Sequence, residues 1–207
     1  MSFPLQTLRL VRHGQTDWNV QGLAQGHTDI PLNALGKDQA RLLTSAFRVI
    51  DVDEIWVSDL LRAQQTADGV ASATGARMRT WPELRERGFG EWEGQSFAAI
   101  KASGKATDWH DADFRPPQGE SKRDVWNRLS AVESELFETA HRSIVLVSHG
   151  MTLSILLARL VHDDLERSND YRNRNCAITE LVRGAHGRYD VAVFDDLSHL
   201  LAEGNLA

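Results

Sequence analysis

The chain is poor in cysteine, tyrosine and proline: its 207 residues include one cysteine, two tyrosines and five prolines. A single thiol, Cys176, excludes a disulfide framework and a thiolate zinc cluster. Beside Asn175 and Ala177 it reads as a small buried residue rather than a nucleophile. No N-x-S/T sequon occurs. The most apolar stretch, Ile155 to Val161, is interrupted by Arg159 and is far too short to span a bilayer. The opening MSFPLQTLRLV lacks a basic segment leading into a long apolar one, so no secretory leader is expected and the expected location is cytoplasmic. Positive charge is also scarce: 23 Lys and Arg stand against 29 Asp and Glu, a net of −6. That argues against a broad nucleic-acid or anionic-membrane surface and leaves room for a small positive pocket.

Several site classes are missing as well. Gly36-Lys37 is followed by Asp38 and Gly104-Lys105 by Ala106, so there is no P-loop. The glycines between Gly88 and Gly94 have the wrong spacing for a dinucleotide loop. The eight histidines form no H-x-H or H-x-x-x-H pair, which weakens a metal-enzyme reading, and no G-x-S-x-G elbow occurs.

What is present fits a globular domain. Apolar residues make up 42% and charged residues 25%, and the length suits one domain spanning 1–207, with no internal repeat. Thr7 to Val11 reads as a strand running into Arg12-His13-Gly14, followed by a polar, glycine-rich loop from Gln15 to Leu32. Ala34 to Ile50 repeats its apolar residues at helical spacing, Glu54 to Val57 reads as a buried strand, and Arg62 to Thr74 as a small-residue helix. Arg77 to Trp81 is a further strand. Val125 to Phe137 reads as an amphipathic helix, Ile144 to Val147 as a central strand and Met151 to Val161 as a buried helix. Ala177 to Val182 and Tyr189 to Phe194 close the chain as a hairpin. This alternation predicts an α/β fold, three-layered α/β/α, with a mostly parallel central sheet.

The stretch from about 81 to 121 has no regular period and is read as a loop-rich cap excursion. Of its aromatics, Trp92, Phe97, Trp109 and Phe114 are expected mostly to form a satellite core, with Phe97 or Trp109 facing a ligand.

Three predicted strands end in polar residues: Arg12-His13, Ser58-Asp59 followed by Arg62, and Ser148-His149. In α/β sheets ligands bind beyond the carboxyl ends of the strands. Arginine forks match phosphate oxygens, a neutral histidine can act as a nucleophile, and a second histidine can steady charge on an equatorial oxygen. Two arginines and two histidines at one edge therefore make a phosphate pocket. Singly, each has a plainer reading: Arg62 as a solvated helix-start residue, Gly14 and Gly150 as turn residues.

The segment Leu10-Val11-Arg12-His13-Gly14-Gln15-Thr16-Asp17-Trp18-Asn19 resembles the histidine phosphatase superfamily, the phosphoglycerate-mutase-like proteins. Leu32-Asn33, Leu35-Gly36, Ser58-Asp59-Leu60-Leu61-Arg62-Ala63 with Thr66-Ala67, Glu83-Leu84-Arg85-Glu86-Arg87, Phe89-Gly90-Glu91-Trp92-Glu93-Gly94, Gly119-Glu120-Ser121 and Val147-Ser148-His149-Gly150 extend the resemblance over most of the chain. The resemblance implies that His13 is the nucleophile and that Arg12, Arg62 and His149 clamp the phosphate. It implies Asn19 as a further donor, Glu86 as the general acid, and Gln25 and Gly26 as bordering the substrate. Glu86 must then hold a proton beside Arg87, which requires desolvation or other compensation. Glu83 is the fallback acid, although Glu83, Glu91 and Glu93 read better as exposed surface glutamates.

Neither metal nor cofactor is implied. The superfamily contains phosphatases and mutases. The cap holds Lys101, Lys105 and Arg115 without an adjacent basic pair, against Asp108, Asp111 and Asp113, and Phe89 to Gly94 resembles the phosphatase branch. The expectation is therefore hydrolysis of a small phosphorylated metabolite, with mutase activity second and a non-catalytic phosphate-binding module third. Few cap cations disfavour highly charged bisphosphates. Dimers are common among relatives, so a homodimer is an open option.

Overall fold

A computed structural model describes residues 5–104, 111–184 and 187–201. Among them lie strands β1 (Thr7–Arg12), β2 (Glu54–Val57), β3 (Arg77–Thr80), β4 (Ser143–Ser148), β5 (Ile178–Arg183) and β6 (Tyr189–Asp196). The helices are α1 (Asp17–Gln21), α2 (Ala34–Phe47), α3 (Leu61–Thr74), α4 (Phe97–Ala102), α5 (Lys122–Glu138), α6 (Gly150–Leu157) and α7 (Ser198–Leu201). The sheet order is β3-β2-β4-β1-β5-β6. The first four of these neighbours run parallel, whereas β5 is antiparallel to both β1 and β6. The mixed, mostly parallel α/β fold expected from the sequence is what forms.

Alternation along the strands splits the core. Leu8, Leu10, Trp56, Ile144 and Leu146 face one side, where Val125, Leu129 and Val132 of α5 and Leu153 and Leu156 of α6 cover them. Val11, Ile55, Val57, Val145 and Val147 face the other, against Leu43 and Phe47 of α2 and Ala63, Ala67 and Val70 of α3. This is the period-two pattern of a sheet buried on both faces. The small residues of α3 bring it close to α2: a Cβ on Gly69 would lie 2.0 Å from the carbonyl oxygen of Ala40.

Two local differences from the expected elements have clear causes. Within the expected loop, Asp17–Gln21 is helical, because the Thr16 side chain caps the Asn19 amide while the Asn19 side chain answers the Thr16 amide. The expected Met151–Val161 helix is α6 continued by a π-turn at Ala158–His162. Among the described residues, no helix is long and apolar enough to cross a membrane.

Candidate active site

Parallel pairing places the carboxyl ends of β1 and β4 side by side, with Arg12 opposite Ser148. The chain continues in register beyond them: the His13 amide donates to Ser148 O at 2.9 Å and the Ser58 amide to Val147 O at 3.1 Å. His13, Arg62 and His149 thus converge, all buried. The His13 and His149 rings lie 5.1 Å apart, tilted by 56°.

His13 Nδ1 lies 2.7 Å from the carbonyl oxygen of Gly14. A carbonyl only accepts, so Nδ1 carries the proton and Nε2 keeps a bare lone pair. Burial, then the charges of Arg62 and Arg12, hold the imidazole well below its ordinary 6.5, hence neutral. The loop beneath is fixed by the Gly14 amide donating to Thr66 Oγ1 at 2.9 Å.

Arg62 is held by two loop carbonyls, Nη1 to Thr28 O at 2.9 Å and Nη2 to Gly26 O at 2.8 Å. Its Nε donates to His149 Nδ1 at 3.2 Å. An arginine nitrogen only donates, so His149 carries its proton on Nε2, which donates to Ser58 Oγ at 2.9 Å. Burial lowers the Arg62 guanidinium to about 10, and it stays charged at neutral pH. Arg12 uses Nη1 on Asn173 O at 2.7 Å, while its buried Nε has no partner among the described residues. Asn19 Oδ1 accepts from Thr16 and from Asn175, which leaves its Nδ2 free to donate.

Glu86 serves α6 as a cap. Its Oε1 accepts from the amides of Arg87 (3.0 Å) and Thr152 (3.1 Å), and lies 3.2 Å from Thr152 Oγ1, whose proton goes to Arg85 O. Its Oε2 accepts from the Met151 amide alone, at 3.2 Å. The carboxylate thus satisfies amides that the helix start leaves unpaired. The neighbouring Arg87 guanidinium donates to Glu120 O (2.6 Å) and Phe114 O (2.8 Å).

The chain around Glu86 is pinned from three directions. Arg128 donates to the carbonyls of Glu83, Arg85 (2.8 Å) and Glu86 (3.1 Å) and pairs with Glu120 at 3.0 Å. Ser148 Oγ donates to Leu84 O at 2.6 Å and Thr152 Oγ1 to Arg85 O at 2.7 Å. Arg128 was not legible as part of the site, since nothing local distinguishes it from a surface residue of α5. Glu93 also corrects the sequence reading. It is half-buried, and its two oxygens accept from the amides of His27, Thr28 and Phe89 and from the Thr28 hydroxyl. It ties the 25–28 loop to the cap. Glu91 is exposed, as expected.

Part of this constellation lines a cavity of about 840 Å³, the size of a small-molecule site, whereas His149, fully buried behind Arg62, does not border it. Arg12, His13, Asn19, Gln25, Arg62 and Glu86 all border it. Gly26 does not. It is the anchor of Arg62, in a left-handed conformation (φ +50°) where a Cβ would lie 2.0 Å from Glu93 Oε1. Phe97 borders the cavity, as do Phe89 and Ile100, which with Trp92 and Ala24 also form the satellite core, with Phe114 packed against it. Trp109, Lys105 and Asp108 lie outside the described residues. Lys101 borders the cavity, joined by Lys122 of α5 and by Arg172, two cations that the sequence reading did not single out. Arg115 instead pairs with Asp124.

The profile of the Histidine phosphatase superfamily (branch 1) matches residues 8–196. A protein of Proteus mirabilis (strain HI4320) named "Probable phosphoglycerate mutase GpmB" is 36% identical over 179 residues, covering 83% of this chain and 82% of the relative. Among solved structures, an alpha-ribazole phosphatase from Shigella flexneri superposes with a TM-score of 0.83 at 30% identity, covering 92% of this chain and 96% of that one. A mycobacterial glucosyl-3-phosphoglycerate phosphatase in complex with VO3 gives 0.83 at 32% identity, covering 92% and 98%. With its profile matched along nearly the whole length, the chain belongs to the histidine phosphatase superfamily.

Proposed function

We propose that this protein hydrolyses a small phosphate monoester through a phosphohistidine on His13, without a metal. The observation that carries the reading is the His13 ring: Nδ1–H is spent on Gly14 O, and the bare Nε2 stands in a cavity bordered by Arg12 and Arg62. The two guanidiniums match a phosphoryl dianion in charge, and the unpartnered Arg12 Nε is a donor awaiting an oxygen. Phosphoryl transfer needs mainly such positioning and electrostatic stabilisation.

In the first step His13 Nε2 forms a bond to phosphorus as the ester P–O bond breaks. Glu86, protonated on Oε2, the oxygen with one donor, gives that proton to the leaving alcohol. A phosphoryl oxygen that takes Arg62 Nε releases His149 Nδ1. Because the Ser58 hydroxyl can donate as well as accept, His149 can then carry its proton on Nδ1 and offer it to an equatorial oxygen. In the second step the Glu86 carboxylate takes a proton from water, whose oxygen attacks phosphorus and frees His13 and inorganic phosphate.

The names of the two phosphatase neighbours favour hydrolysis, and the name of the Proteus relative keeps primed mutase transfer as the second reading. Phosphate release from a panel of monoesters in EDTA, wild type against His13→Ala, tests the proposal. Metal-independent release abolished by the substitution supports it. Full turnover by His13→Ala would refute it, and phosphoglycerate isomerisation dependent on a bisphosphate primer would move the assignment to mutase.

A further inference from the structure

The cavity carries more positive charge than a phosphoryl group needs. Among the described residues, five cations border it (Arg12, Arg62, Lys101, Lys122 and Arg172) against the single carboxylate of Glu86, in a chain whose net charge is −6. Arg12 and Arg62 suffice for the transferred phosphoryl group. The other three come from different elements: α4, the start of α5, and the segment before β5. Lys101 and Arg172 are exposed at the rim, whereas Lys122 is only 5% exposed.

Lys122 is the informative member. Its ammonium donates to Asn169 Oδ1 at 2.8 Å, a neutral acceptor, and among the described residues no carboxylate is within ion-pair distance. Arg87 adds repulsion, and Glu166 acts on it only through space. A buried lysine is ordinarily paired, and an ammonium has three protons to place. Ser168 and Asn169, bordering the cavity beside it, add uncharged polar groups. Burying a cation here costs stability unless an anion joins it when the site is filled.

We infer that Lys122, with Lys101 and Arg172 at the rim, forms a subsite for a second anionic group on the leaving alcohol, a carboxylate or a second phosphate. The substrate class is then a phosphate monoester of an acidic alcohol. This rests on the phosphatase reading and specifies the substrate end of the same cavity. It also reverses the sequence-based expectation that few cap cations disfavour multiply charged esters, because these cations assemble from segments far apart in the chain.

Two matched pairs test it. 3-Phosphoglycerate and glycerol 1-phosphate differ by a carboxylate in place of a hydroxymethyl group; the bisphosphate and monophosphate of propane-1,3-diol differ by a phosphate. Wild type should prefer the charged member of at least one pair by about tenfold or more in kcat/KM, mainly through KM. Which pair responds tells carboxylate from phosphate. Lys122→Met should erase the preference by roughly ten- to a hundredfold while leaving the uncharged member within about twofold, and Lys122→Arg should keep most of it. Equal use of both members by wild type, or an equal loss on both in Lys122→Met, would overturn the subsite while hydrolysis stands. Calorimetric binding of the same esters to His13→Ala reads the subsite without turnover, so loss of hydrolysis alone counts against the phosphatase reading only. Equal binding of charged and uncharged members there counts against the subsite.

Discussion

Replacing Glu120 by glutamine keeps the shape of the side chain and removes its charge, and the structure sets what that charge is worth. Burial raises the Glu120 carboxyl, but the nearby His27 ring, 3.6 Å away, and hydrogen bonds from Arg128 and the Gly88 amide outweigh it and hold the group at about 2, against an ordinary 4.5. A carboxyl depressed in the folded state adds stability that is fully present above pH 4.5 and is lost as pH falls toward 2. That interval corresponds to about 3 kcal/mol, and partial exposure of the side chain reduces it to about 2 kcal/mol. Glu120→Gln should therefore lower unfolding free energy by about 2 kcal/mol at pH 7, measured by urea titration followed by circular dichroism. The deficit should shrink by roughly two-fifths by pH 3.5, where Glu120 of the unfolded chain is largely protonated while that of the folded protein is still ionised. The substitution also removes the counter-charge of Arg128, which holds the carbonyls of Glu83, Arg85 and Glu86. Turnover should drop by roughly tenfold as the Glu86 loop loosens. A deficit that stays constant between pH 7 and pH 3.5, or none at pH 7, would refute the reasoning.

Further expectations follow from the same site. Gly26→Ala forces a Cβ against Glu93 in a left-handed backbone and displaces a carbonyl that anchors Arg62, so both the melting temperature and kcat/KM should fall, the latter by about tenfold or more. An unchanged kcat/KM would show that Arg62 does not depend on this loop. His13 stays neutral well below pH 6.5, so kcat/KM, once corrected for the ester's own protonation at about pH 6, should show no further inflection near 6.5 on acidification, in a pH–rate profile. Because the unfolded chain takes up that proton first, wild-type stability should fall below pH 6.5 relative to His13→Ala, as compared by urea midpoints at pH 7.5 and 5.5.

The half of the cavity bordered by Arg12, His13 and Arg62 was legible in the sequence because these residues follow the ends of buried strands. Apolar runs closed by Arg12-His13, Ser58 and Ser148-His149 fix the strands, and parallel pairing does the rest. Gly26 and Glu93 were visible as residues but not in their tasks, since a carbonyl that anchors an arginine and a carboxylate that gathers loop amides leave no local pattern. Glu86 as the cap of α6 joins positions far apart in the chain. The cations of the far end were not legible for the same reason. Lys101, Lys122 and Arg172 form no run, and Lys122 sits one residue into α5, where the helix period marks it only as a first-turn residue. The short helix α1 was missed because its capping pair, Thr16 and Asn19, encloses a single turn without an apolar face.

The central claim is that His13 becomes phosphorylated during turnover. Rapid acid-free quenching of a single turnover with a phosphate-labelled ester, followed by peptide mapping, tests it directly. The account predicts label on the peptide containing His13, stable to alkali and lost in acid, and absent in His13→Ala. Label on another residue, or product formed in a single turnover with no protein-bound phosphate at any time, would contradict it.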